Sequence, residues 1–158
     1  MICEICVDSV ASVRAAKAAG AARVELCASL LEGGITPSRG MIHEARSVAG
    51  IKLHVIIRPR GGDFLFSEDE FAVMSADIET AKAEGADGVV IGQLTAEGLI
   101  DATRTRELMA LARPLAITFH RAFDLVREPE SALETLIELG VERVLTSGQA
   151  ARASEGQA

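Results

Sequence analysis

Arg23-Val24-Glu25-Leu26-Cys27 alternates apolar and polar side chains. In an extended strand successive side chains point to opposite faces, so Val24 and Leu26 share one face while Glu25 and Cys27 share the other. The same arrangement stands 21 residues earlier, in Glu4-Ile5-Cys6-Val7. As neighbouring parallel strands, the two segments would bring Glu4, Cys6, Glu25 and Cys27 to one side of a sheet. Ile5, Val7, Val24 and Leu26 would form an apolar wall on the other.

Working outward, His54, Arg58, Thr118 and His120 keep the polar parity, while Val55, Ile57, Ile117 and Phe119 keep the apolar one. Sheets covered by helices on both faces read as continuous apolar runs, which these strands do not. Apolar residues toward a helix layer and polar residues toward a shared axis are the pattern of a (β/α) barrel with a functional interior. No G-x-G-x-x-G turn follows the first strand, so the dinucleotide-binding fingerprint is absent.

Apolar runs alternate with helical periodicity along the whole chain, the signature of βα units. Strands are expected near 2–7, 22–27, 52–58, 87–92, 115–120 and 142–147, and helices near 9–19, 38–49, 68–84, 102–112 and 129–139. Ser67 with Glu70 reads as a capping box, Thr36 before Pro37 as an N-cap, and Asp101 as the cap of the fourth helix. Gly20, Gly85 and Gly140 close helices ahead of similar strand entries, a weak repeat in keeping with stacked βα units. In the third helix Phe71, Met74, Ile78 and Ala81 form the buried stripe.

At 158 residues and 49% hydrophobic content the chain suits one domain with a real core. A net charge of -7 and the lack of Trp and Tyr argue against nucleic acid as a partner. No apolar run approaches membrane-span length and no leader pattern opens the chain, so a cytoplasmic protein is expected. Three cysteines fit reduced thiols better than a disulfide framework, and strand parity sets Cys3 and Cys6 on opposite faces.

Three groups of residues could carry chemistry. Arg58-Pro59-Arg60-Gly61-Gly62-Asp63-Phe64 sets two guanidiniums beside a glycine pair, which suits an anion; Arg58 could equally neutralise Glu4 or Glu25 while the glycines turn the chain. His120, near the end of the fifth strand, could serve with Glu4 or Glu25 in proton transfer, or be a hydrogen-bonded structural histidine. His54 is expected to be structural and His43 to lie at the surface. Cys6 and Cys27 could offer soft sulfur to Cu(I), or fill the core as small hydrophobes.

Glu4-Ile5-Cys6-Val7-Asp8-Ser9, Val24-Glu25-Leu26-Cys27, Glu32-Gly33-Gly34-Ile35-Thr36-Pro37-Ser38, Ile57-Arg58-Pro59-Arg60-Gly61-Gly62-Asp63-Phe64, Thr118-Phe119-His120-Arg121-Ala122-Phe123-Asp124 and Val144-Leu145-Thr146-Ser147-Gly148 resemble, in order, the CutC family of copper homeostasis proteins. The resemblance runs from residue 1 to about 150. It implies a TIM-type barrel, a cytoplasmic location, homo-oligomerisation and a Cu(I) role for two cysteines, matching Cys6 and Cys27. The expected fold is therefore α/β, an incomplete TIM-type (β/α) barrel with about six of the eight βα units. Residues 1–148 would form the partial barrel and 149–158 a polar, poorly ordered C-terminal tail. A barrel enzyme acting on a small anionic or phosphorylated metabolite is the alternative function. A truncated remnant without activity of its own is the second alternative.

Overall fold

The structure, a computed structural model, describes residues 2–157. Six parallel strands pair in chain order: β1 (Glu4–Val7), β2 (Arg23–Leu26), β3 (Lys52–Ile56), β4 (Gly88–Ile91), β5 (Ala116–Phe119) and β6 (Arg143–Val144). Between them run α1 (Val10–Ala18), α2 (Arg39–Arg46), α3 (Glu68–Ala83), α4 (Ala102–Ala112) and α5 (Pro129–Leu139). Two short 3-10 turns, Leu30–Glu32 and Arg121–Leu125, follow β2 and β5. Laid flat, six strands would separate β1 from β6 by about 24 Å. Cys6 on β1 and Leu145 after β6 nevertheless line one cavity, so the sheet curls into a partial barrel.

Register gives the curl its two chemistries. Cys6, Glu25, His54, Gly88 and Ala116 form one lateral row, and Val90, Thr118 and Arg143 belong to the next row on the same inner face. The alternate residues, among them Val24, Leu26, Leu53, Val55, Val89, Ile91 and Ile117, pack outward against Val13, Ile42, Met74, Ile78 and Leu108 of the helices. Each such side chain contributes roughly 1.5–3 kcal/mol by leaving water. The outer layer is thus the hydrophobic core, and the axis is left to polar groups.

Helix ends show how local chemistry sets the layout. Ser67 and Glu70 form the expected reciprocal box, and Asp101 caps α4 by accepting from the Arg104 N–H. The cap of α2 differs from expectation: Ser38, not Thr36, accepts from the Met41 N–H. Thr36 is engaged elsewhere, its hydroxyl accepting from the Arg58 N–H at 2.9 Å and donating to the Arg58 carbonyl. Helix α5 ends on Gly140 at φ 79°, a left-handed turn that glycine adopts without strain. Beyond β6, Gln149 donates its side-chain N–H to the Val126 carbonyl, and the following residues turn back toward Ser147 and Gly148.

Two glycines, Gly88 at the start of β4 and Gly92 just after its end, make room for the interior histidines. A Cβ at Gly88 would stand 2.7 Å from the His54 ring, and one at Gly92 would stand 2.5 Å from the His120 ring. Neither contact is tolerable for a methyl group. Glycines at the two ends of β4 therefore seat one imidazole from β3 and one from just beyond β5.

Candidate metal and anion site

A cavity of about 350 Å³ opens at the C-terminal end of the strands, where barrel sites lie. Its β1–β2 wall carries Cys6, Glu25 and Cys27, and its β3–β5 wall carries Arg58, Phe64 and His120. Leu30, Ile56, Leu125 and Leu145 supply apolar surface between them.

On the first wall both thiols address the same carboxylate. The Cys6 thiol donates to Glu25 Oε2 at 3.3 Å, and the Cys27 thiol lies 3.9 Å from Glu25 Oε1. Cys27 is buried beside Ile56 and Val90. Cys6 is exposed as a residue, yet its sulfur turns in toward Glu25. Desolvation first, and the Glu25 carboxylate second, push the Cys6 thiol up to about 12, and the same two causes raise Cys27. Burial also raises Glu25, against the opposing pull of its thiol hydrogen bonds. Both thiols are protonated at neutral pH.

The second wall is fixed by the backbone. Arg58 is buried, and its guanidinium donates to the carbonyls of Glu32, Gly34 and Gly62 at 2.8–3.0 Å while stacking 4.7 Å over the Phe64 ring. It forms no ion pair among the described residues. Neutralising Glu4 or Glu25 is therefore not its role: carbonyl dipoles hold it, and Glu4 pairs with Arg23 instead. His120 accepts the Ala122 N–H at Nδ1, 3.1 Å away, so the ring proton of the neutral imidazole sits on Nε2. Burial, aided by the Arg58 charge, pulls His120 down to about 3. A ring so placed is held in its neutral form, with its N–H on a nitrogen that has no partner among the described residues.

The remaining sequence-derived site residues fall outside the cavity. Arg60 is bound by Glu70 at 2.5 Å and Asp63 at 3.0 Å, stacks on Phe66, and so faces carboxylates of its own loop and of the first turn of α3. Gly61 packs against the Glu32 side chain, and Gly62, at φ 85°, turns its carbonyl onto Arg58, a polarity that repels an anion. Glu4 sits one row below Cys6. His43 is exposed and paired with Glu84, and His54 is buried with its Nδ1 unpartnered among the described residues.

Asp124, not singled out from the sequence, organises the cavity rim. Burial pushes its carboxyl up, but hydrogen bonds from Thr146, Arg121, Ser147 and Gln149 outweigh this and hold it down at about 2. It thereby ties the segment after β6 to the turn after β5. The sequence signal is only an acidic residue four positions past His120: apart from Arg121, three residues before it, its partners lie 22–25 residues away.

Thiols from adjacent strands meeting on one buried carboxylate, within a curled parallel sheet, set the terms for comparison with known proteins. The CutC family model matches residues 1–158. This chain belongs to the CutC family. It is 59% identical over 157 residues to a CutC family protein of Chromobacterium violaceum, covering 99% of this chain and 64% of that protein. With the copper homeostasis protein cutC homolog of Mus musculus it shares 56% identity over 153 residues, covering 97% of this chain and 56% of the mouse protein. A CutC crystal structure from Streptococcus agalactiae superposes with a TM-score of 0.89 at 34% identity, covering 96% of this chain and 75% of that one. The chain thus spans 56–64% of the length of the two relatives compared by sequence.

Proposed function

We propose that this chain binds Cu(I) in copper homeostasis, with Cys6 and Cys27 as the ligands. The observation that carries the reading is the convergence of both thiols on Glu25 from neighbouring strands. Thiolate sulfur selects soft Cu(I) over harder ions. A structural zinc site would call for four ligands, and no group of three or more His, Cys, Asp and Glu is placed to hold a metal among the described residues. A pair of sulfurs suits an ion that accepts few, soft ligands. Capture exchanges two S–H protons for the metal, and the Glu25 carboxylate stands beside both sulfurs as the nearest acceptor. A cytoplasmic location goes with this reading, supported by three cysteines that are all free thiols.

The test uses the reduced chain and a coloured Cu(I)-selective chelator as competitor. The chain should withhold one Cu(I) per molecule from the chelator, Cys3→Ser should do the same, and Cys6→Ser or Cys27→Ser should release the metal. Undiminished retention by the Cys6→Ser/Cys27→Ser double variant would remove the reading.

A further inference from the structure

The wall opposite the thiols holds two buried donors for which the fold provides no acceptor. His120 Nε2 and Arg58 Nε both lack a hydrogen-bond partner among the described residues, and both side chains belong to residues that line the cavity. An unmade hydrogen bond at a buried donor costs about 1–3 kcal/mol, and more at a charged one. Their orientation is held by other contacts. His120 is seated on Gly92, packed 4.9 Å from the Phe64 ring and pinned through Nδ1, so Nε2 cannot turn to another partner. Arg58 is locked by three carbonyls and makes no ion pair among the described residues; the Glu32 carboxylate acts on it only from a distance.

We propose that this wall is a binding site for a small monoanionic organic acid, a carboxylate or 2-oxo acid, with one oxygen received by His120 Nε2–H and its charge set against Arg58. The apolar body of such a ligand would rest on Ile56, Leu125 and Leu145. A carboxylate fits better than a phosphate for two reasons. Phosphate recognition draws on several converging donors or a glycine-rich cradle of N–H groups, whereas here there are two single donors and the Gly62 carbonyl points at Arg58. The cavity also holds Glu25, Glu32 and Asp124, beside which a dianion is disfavoured. The site does not rest on copper binding, since neither donor belongs to the thiol wall.

Pyruvate, propionate, propionamide and inorganic phosphate are the probes, titrated into the full reduced chain without metal and followed by calorimetry and by imidazole nitrogen–proton NMR. Pyruvate and propionate should bind saturably and shift the His120 Nε2–H resonance, with the ring still neutral. Propionamide and phosphate should bind at least about tenfold more weakly, the loss expected when a charged hydrogen bond is removed. His120→Leu should weaken propionate by a similar factor, while His120→Gln, which keeps an N–H near the Nε2 position, should retain most of the affinity. Cys6→Ser should leave carboxylate binding intact whatever it does to copper. Phosphate binding more tightly than either acid, absence of saturable binding by both acids, or a resonance that stays put under saturation would each overturn the assignment. If His120→Leu fails to fold, the wild-type resonance decides alone.

Discussion

Strand β2 sets two regions of the molecule against each other within four residues. Val24 and Leu26 are fully buried against the helices, whereas Glu25 and Cys27, also buried, face the axis. Burial is nearly equal on the two faces, and its consequences are opposite. On the outer face it stabilises the fold through apolar area. On the inner face it desolvates a carboxylate, two thiols and two imidazoles, and so moves their protons. Stability and chemistry here are separated by strand parity rather than by position along the chain.

The largest expected effect lies on the outer face. Leu26→Ala should cost about 2–5 kcal/mol in chemical denaturation, from lost transfer energy and the cavity left behind. Cu(I) stoichiometry should be unchanged in the folded fraction. Cys27→Ser, one residue on, should show the converse: copper lost and stability little altered. Comparable destabilisation by both substitutions would mean that the two faces are not separated in this way.

Acid should expose the inner face next. Burial holds His54 at about 4 and His120 at about 3, both below the 6.5 of a free imidazole. The unfolded chain then takes up protons that the folded chain refuses. The stability these neutral rings contribute is complete above about pH 6.5 and falls as pH drops toward 4, by about 2 kcal/mol per histidine at pH 5. Denaturation midpoints measured from pH 7.5 to 5 should fall steadily, and His54→Gln should flatten the slope. A profile level down to pH 5 would mean that the rings are hydrated and the interior is not dry.

Much of this division was readable beforehand, because parity is a local property. Alternation alone places Glu25, Cys27, His54, Arg58 and His120 inward, and the structure sets each on that face. What alternation cannot supply is height along the axis or the identity of a distant partner. Glu4 has the right parity but lies one row too low and meets Arg23. Arg60 sits in the expected loop, yet Glu70, from the first turn of α3, claims its guanidinium. The neutral state of His120 depends on Gly92, 28 residues earlier, letting the ring sink against β4. Thr36 before Pro37 reads as a helix cap, because its actual partner, Arg58, is 22 residues away and invisible to local pattern.

A smaller effect tests the outer shell. Ser67→Ala removes one half of the capping box at the start of α3 and should cost about 1 kcal/mol, typical of an N-cap. It should do so equally at pH 6 and pH 7.5, where Glu70, the carboxyl of the box, is ionised in both the folded and the unfolded chain and no inner-face proton is involved. A pH-dependent cost would tie α3 to the interior and blur the separation of the faces.

The smallest effect has the opposite sign. Glu25 is raised by desolvation, so the folded chain binds its proton more tightly than the unfolded chain does. A raised carboxyl makes stability decline as pH climbs through the range above its unfolded value. Glu25→Gln removes that penalty while keeping a side-chain oxygen for the thiols, though an amide accepts less strongly than a carboxylate. The two terms offset in part, and a gain of about 1–3 °C in Tm is expected for a chain of this size. The gain should be larger at pH 8 than at pH 5, since the carboxyl is increasingly protonated at the lower pH. A loss of stability at pH 8 would show that the thiol hydrogen bonds outweigh the desolvation of the carboxylate, and that Glu25 belongs to the stabilising face after all.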